Sequence, residues 1–422
     1  MNGIRFQDRL INLGLLAACG LLIVGTIVTL IFVKFSAINL VALIVIGSYA
    51  GSTVTLLYWY RLENEQKDGA SITADNERRR ASYQSNHLLH QFETSEMTRN
   101  IIFNTNYDIS FYKLENLHAF DCKKWGKIAK RLEDHFRLIN SRKKCGIKFI
   151  SPTHPINDDE LSLVHPQTFL TKINSCKFTI IRATEVALLC AIPMCLIRRH
   201  LLIPLRWQTA GTVLAGFVAI KRGWAINLGG GFHHCSATSA GGFCLFADIT
   251  LSIKYLWKHV NSDMKVIIVD LDAHQGNGHA RDVLSMNRKD RNKVYIMDMF
   301  NGSIYPGDEV AKEGISRMIV LKSYTGDENY LQLLRFHLNE ALNEFSADFI
   351  VYNAGTDILR GDPLGALNIS PEGVKQRDEF VFTVAKQRNI PIVMLTSGGY
   401  QMNNAEVIAN SIINLFAKNI IS

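Results

Sequence analysis

Four short stretches of this 422-residue chain carry side chains that could do chemistry together. They are Gly229-Gly230-Gly231-Phe232-His233-His234, Asp270-Leu271-Asp272-Ala273-His274, Asn353-Ala354-Gly355-Thr356-Asp357 and Thr396-Ser397-Gly398-Gly399-Tyr400. Asp272 and His274 stand two apart, so on an extended chain end they point the same way. With Asp357 they form a set of one imidazole and two carboxylates. Three protein ligands and an open position describe a catalytic metal site. Nitrogen and oxygen donors suit Zn²⁺, with Fe²⁺ as the other fit. Such an ion polarises a carbonyl and lowers the pKa of bound water. His233 and His234 offer proton transfer near neutral pH. Asp270 can orient one imidazole and stabilise its cation. Tyr400, beside Gly398 and Gly399, can donate a hydrogen bond to a developing oxyanion. The chemistry these types predict is metal-assisted amide hydrolysis.

Each stretch follows a short apolar run, and those runs predict the scaffold. Ile101 to Phe103, Ala225 to Leu228, Val266 to Val269, Val294 to Met297, Met318 to Leu321, Phe349 to Tyr352 and Ile392 to Leu395 read as strands. Amphipathic segments such as Tyr330 to Glu344 and Pro371 to Arg388 lie between several of them. Apolar strands alternating with helices predict an α/β domain with a parallel sheet covered on both faces. Ligands bind beyond the carboxyl ends of such strands, so the four stretches should converge. No repeat of fixed period is visible.

The first hundred residues have another character. Residues 10–33 and 37–60 are two runs of 24 residues without a charge. About 20 apolar residues cross a bilayer, and a cleaved signal has a much shorter core. The expectation is a transmembrane helical hairpin over residues 1–60, in contact with membrane lipid. Arg5 and Arg9 before it and Arg61, Lys67 and Arg78 to Arg80 after it place both ends in the cytosol by the positive-inside rule. Residues 61–97 are polar and read as a linker spanning roughly 30 Å. Within it, Arg79-Arg80-Ala81-Ser82 resembles a basophilic kinase site, with an unmodified solvated linker as the plainer reading. Residues 98–422 form the globular domain. The net charge of +8 fits an acidic membrane surface and does not by itself indicate nucleic acid. Eight cysteines without a CxxC argue against a disulfide scaffold or a zinc ribbon.

Gly229 to Cys235, Asp270 to Gly278, Asn353 to Asp357 and Ser397 to Tyr400 resemble the zinc-dependent histone deacetylase family. Gly241 to Cys244, Tyr305-Pro306-Gly307-Asp308 and Val351 to Asp357 resemble its class IV branch. The likeness runs from about Thr98 to about Phe416. It implies the arginase–deacetylase fold, with a mostly parallel eight-stranded sheet between helices and a narrow channel for an acylated lysine. Motif by motif, it makes Asp272, His274 and Asp357 the metal ligands and His234 the general base. His233 becomes the electrostatic partner, held by Asp270, and Tyr400 the oxyanion donor. Gly242, Phe243, Tyr305 and Leu364 fall at channel-lining positions. Potassium near the Asp270 turn is a further implied ion.

One departure bears on the chemistry. Asn277 stands where many relatives pair the second histidine with an aspartate. A neutral amide orients His234 but stabilises its cation less, so its pKa should be lower. The expected activity is removal of acyl groups from lysine side chains of proteins, with long fatty acyl favoured over acetyl. Acetylpolyamine hydrolysis and a non-catalytic acyl-lysine binding module stay open beside it. A membrane tether, with a nuclear pool as the second location, argues against nuclear histones as the main substrate.

Overall fold

The computed structural model describes residues 99–111, 121–139 and 147–422. The two charge-free runs, the linker and Ser82 lie outside the described residues. Seven strands form the sheet: β1 (Ile101–Ile102), β2 (Trp224–Asn227), β3 (Val266–Asp270), β4 (Val294–Asn301), β5 (Arg317–Leu321), β6 (Phe349–Asn353) and β7 (Ile392–Leu395). Their order is β1-β2-β7-β6-β3-β4-β5, and every pairing is parallel. Each falls within a residue or two of its predicted run, except β4, which extends to Asn301.

The expected eighth strand is absent among the described residues. Beyond β1 the ladder continues only as one parallel bridge, Ile102 to Ile150. Pro152 follows two residues later. It has no N–H to donate, so the pairing cannot propagate there.

Helices cover both faces. They include α1 (Lys124–Ile139), α2 (Lys177–Thr184), α3 (Ile203–Arg222), α4 (Asp248–His259), α5 (Asn277–Ser285), α6 (Asp327–Glu344), α7 (Pro371–Gln387) and α8 (Asn404–Ala417). Side chains of each strand alternate between faces. Ile226, Ile267, Val269, Ile350, Tyr352 and Met394 pack with Leu132 of α1, Leu334 of α6, Phe382 of α7 and Ile412 of α8. Ala225, Ile268, Val351 and Val393 pack on the other face with Val218 of α3, Ile253 of α4 and Val283 of α5. Near-continuous apolar strands are what a sheet buried on both faces requires.

Among the described residues, one helical run, Met194–Arg222, is long and apolar enough to cross a membrane, and 67% of its most apolar window is buried within the domain. It is a core helix. A third apolar cluster brings Tyr107, Ile109, Phe111, Trp125, Leu189, Leu205 and Phe246 together.

Candidate active site

β2, β7, β6 and β3 are consecutive in the sheet. The four polar stretches therefore leave neighbouring strands at the same edge, which is why they meet. Asp272, His274 and Asp357 come together with ligand atoms within 4.8 Å of one another. His274 Nδ1 lies 2.8 Å from Asp357 Oδ2 and 3.2 Å from Asp272 Oδ1. All three residues are buried. Burial opposes charge on His274, but the two carboxylates outweigh it and raise its pKa to about 10. Burial, and then the neighbouring Asp272, push Asp357 up to about 7. Two buried carboxylates held on one imidazole proton form a donor set that fits a divalent cation taking the proton's place.

The same carboxylates and two further buried groups hold the loops in place. Asp357 Oδ1 accepts from the Ala273 N–H at 2.8 Å, and Asp272 Oδ2 accepts from the Gly398 N–H at 3.1 Å. Gly355 lies so close to Asp272 that a Cβ there would meet its Oδ2 at 2.0 Å. Buried Arg377 of α7 donates to the carbonyls of Ala354 and Gly355, and to that of Leu271. Asp248, at the start of α4, accepts from the N–H groups of Gly231 and Phe232, both at 2.8 Å.

The histidines sit in different electrostatic settings. His233 Nδ1 donates to Asp270 Oδ2 at 2.9 Å. Burial opposes its cation, but Asp270 and Asp272 prevail and raise it to about 9. His234 Nδ1 donates to Asn277 Oδ1 at 2.8 Å. Burial, with His233 and His274 adding repulsion, holds His234 well below the usual imidazole range. One ring is thus set up as a cation and the other as a neutral base. Tyr400 lies with its ring 6.3 Å from that of His274. Burial, with Asp357 next, raises its phenol well above the usual range, so it stays a donor.

A cavity of about 400 Å³ opens onto these groups, with Asp272, His233, His234, Gly242, Phe243 and Tyr400 in its wall. Gly242 has φ +51°, and a Cβ there would meet His234 Cδ2 at 2.2 Å. Only glycine lets the backbone pass so close to that ring. Tyr305 stacks edge-on to His234, with ring centroids 4.9 Å apart. Of the four expected channel residues, Gly242 and Phe243 line the cavity, whereas Tyr305 and Leu364 do not. Asp362 Oδ1 accepts from the N–H groups of Leu364 and Gly365, and that turn leaves the Leu364 side chain 37% exposed.

The structure adds groups that the sequence reading missed. Lys124 is wholly buried at the start of α1, and its Nζ donates to the carbonyls of Ser397 and Gly398, beside the Tyr400 hinge. Burial lowers its pKa to about 8. Lys124 lies in a lysine-rich run that reads as a solvated helix surface, so its burial had no local signal. The cavity also extends past Gly231 into an apolar wing of Ile109, Phe111, Trp125, Leu189 and Leu205. Beneath the site, buried Asp298 and Asn353 flank Asp270 across the sheet. Their Oδ1 atoms have no hydrogen-bond partner among the described residues. They are two separate buried acceptors, one on each side of Asp270.

Fold and site define a parallel-sheet α/β protein with a carboxylate–imidazole centre at its strand ends. The histone deacetylase domain family matches residues 118–416, and the chain belongs to that family. Histone deacetylase 2 of Arabidopsis thaliana is 45% identical over 76% of this chain and 79% of that protein. Type-1 histone deacetylase 1 of Dictyostelium discoideum is 33% identical over 43% of this chain and 36% of that protein. The solved HD domain of HDA15 superposes with a TM-score of 0.58 over 76% of this chain and 89% of that one. At 18% identity that likeness carries the fold alone. Family members are generally zinc-dependent hydrolases.

Proposed function

We propose that this protein is a class IV-type, zinc-dependent lysine deacylase that prefers long fatty acyl groups, tethered to a membrane by its amino-terminal hairpin. Asp272, His274 and Asp357 would hold the ion, which supplies Lewis-acid polarisation of the acyl carbonyl. The potassium that the family likeness implies would sit near the Asp270 turn.

The chain's own groups account for the proton movements. His234, neutral and oriented by Asn277, takes the proton from the attacking water. His233, kept cationic by Asp270, stabilises negative charge nearby. Tyr400 donates to the oxyanion as the carbonyl carbon becomes tetrahedral. The C–N bond then breaks, and His234 returns its proton to the leaving lysine amine. The products are a carboxylate and a free lysine side chain, so one water is consumed.

The observation that carries the long-chain reading is the apolar wing of the cavity, from Ile109 to Leu205, continuous with the catalytic groups. Each buried methylene contributes about 0.8 kcal/mol, so four more buried carbons raise specificity about 200-fold. An acetyl group or a polyamine would leave that wing unfilled. The test is kcat/KM for acetyl-, octanoyl- and myristoyl-lysine in one peptide, with Tyr400→Phe as the blank. Values rising with chain length are expected. Equal or falling values would leave an ordinary deacetylase.

A further inference from the structure

The outer wall of the cavity does not look like a solvated surface. It is formed by Thr184 at the end of α2, by Glu185 and Val186, by Ala187 to Leu189 of the 3₁₀ turn Ala187–Ala191, and by Ile192. Phe178 on α2 is 79% exposed, and Leu188 on the turn is 54% exposed while also lining the cavity. Lys177 Nζ donates to the Cys190 carbonyl at 3.3 Å, which ties the start of α2 to the end of the turn. The elements that carry the two exposed apolar side chains are therefore joined beside the cavity.

The charges in this segment are mostly positive. From Thr171 to His200 the chain carries Lys172, Lys177, Arg182, Arg198 and Arg199 against Glu185 alone. Lys172, Arg182 and Arg199 are exposed. Burial and then Cys244 raise the Tyr305 phenol, Glu185 adds to that and Arg182 opposes it, so charges of both signs from this segment reach Tyr305, which packs on His234.

We propose that this wall, residues 172–199, docks on an anionic lipid bilayer. Phe178 and Leu188 enter the boundary between headgroups and acyl chains, and Lys172, Arg182 and Arg199 meet the phosphates. Protruding apolar side chains ringed by cations are the composition that binds an anionic interface. An acidic peptide would satisfy the cations but leave Phe178 and Leu188 in water. The docked cavity mouth faces the bilayer, where an acyl chain on a lysine would be partly embedded. That last step rests on the acyl-lysine reading, whereas docking itself does not.

The test uses the full chain in vesicles of phosphatidylcholine alone or with phosphatidylserine, so that any tether is constant. Hydrogen exchange over residues 172–199 should slow only in the anionic vesicles. Phe178→Asp combined with Arg199→Glu should abolish that protection and leave hydrolysis of a soluble acyl-lysine peptide unchanged. The same variant should lose about tenfold on an acyl-lysine peptide anchored in anionic vesicles. Identical exchange in both vesicles, or protection by soluble polyglutamate in place of lipid, overturns the docking. Wild-type protein that is protected on anionic vesicles yet cannot hydrolyse the soluble peptide would instead refute the acyl-lysine reading.

Discussion

Two adjacent histidines do opposite electrostatic work because His233 faces the carboxylates of Asp270 and Asp272, whereas His234 is buried beside the cations of His233 and His274. His233 faces the Asp270 carboxylate and His234 faces the Asn277 amide. That difference was legible in the sequence, since both partners follow their motif positions. Tyr400 was legible for the same reason, and its phenol gives a sharp prediction. Tyr400→Phe should keep metal content and thermal stability while losing roughly 10²–10³ in kcat, the usual size for one oxyanion donor. Single-turnover rates on an acyl-lysine peptide would check it, and near wild-type turnover would remove Tyr400 from the chemistry. Lys124 and Arg377 were not legible. Each acts by donating to backbone carbonyls far away in sequence, 273 residues for Lys124 and Ser397. Side-chain type and spacing carry no trace of such a bond.

Elements read well where burial dictates pattern. The seven strands were visible as β-branched runs because a sheet covered on both faces needs apolar residues throughout. The cavity wall was not visible. Ile109, Trp125, Leu189 and Leu205 come from separate segments, and only their packing makes them one surface. His165, in the same region, ties two loop positions that sequence spacing does not connect to it. Its Nδ1 donates to the Ala237 carbonyl at 2.9 Å, and its Nε2 accepts from the Ala247 N–H at 3.0 Å. A second proton on the ring would break the latter bond, and burial lowers its pKa to about 4. The folded state thus disfavours the imidazolium. Its contribution is full above about pH 6.5 and is lost as pH falls toward 4, amounting to about 3 kcal/mol. Urea unfolding between pH 7 and pH 4.5 should show this loss in the wild type and a smaller slope in His165→Gln. Equal slopes would show that His165 does not govern acid stability.

At the scale of the whole molecule, composition separates an apolar amino-terminal stretch from the α/β domain. The proposed hairpin of residues 10–33 and 37–60 would leave both termini in the cytosol. In sealed vesicles, added protease should digest the domain, and alkaline carbonate should leave the chain in the membrane. Protection of residues 99–422, or release by carbonate, would reverse the topology or the anchoring. The docking wall at residues 172–199 adds a second, reversible contact with the same surface, so tether and domain would act together on substrates near lipid.

All of these scales meet in the claim that Asp272, His274 and Asp357 hold one catalytic ion. The most direct measurement is metal content and acyl-lysine hydrolysis on the same preparations of the wild type, Asp272→Ala, His274→Ala and Asp357→Ala, each checked for folding by circular dichroism. Each substitution removes one of three protein ligands. One zinc-class ion per wild-type chain is expected, with metal and activity lost together in every folded variant. Two ions per wild-type chain, or a folded variant that keeps full occupancy and turnover, would contradict the account.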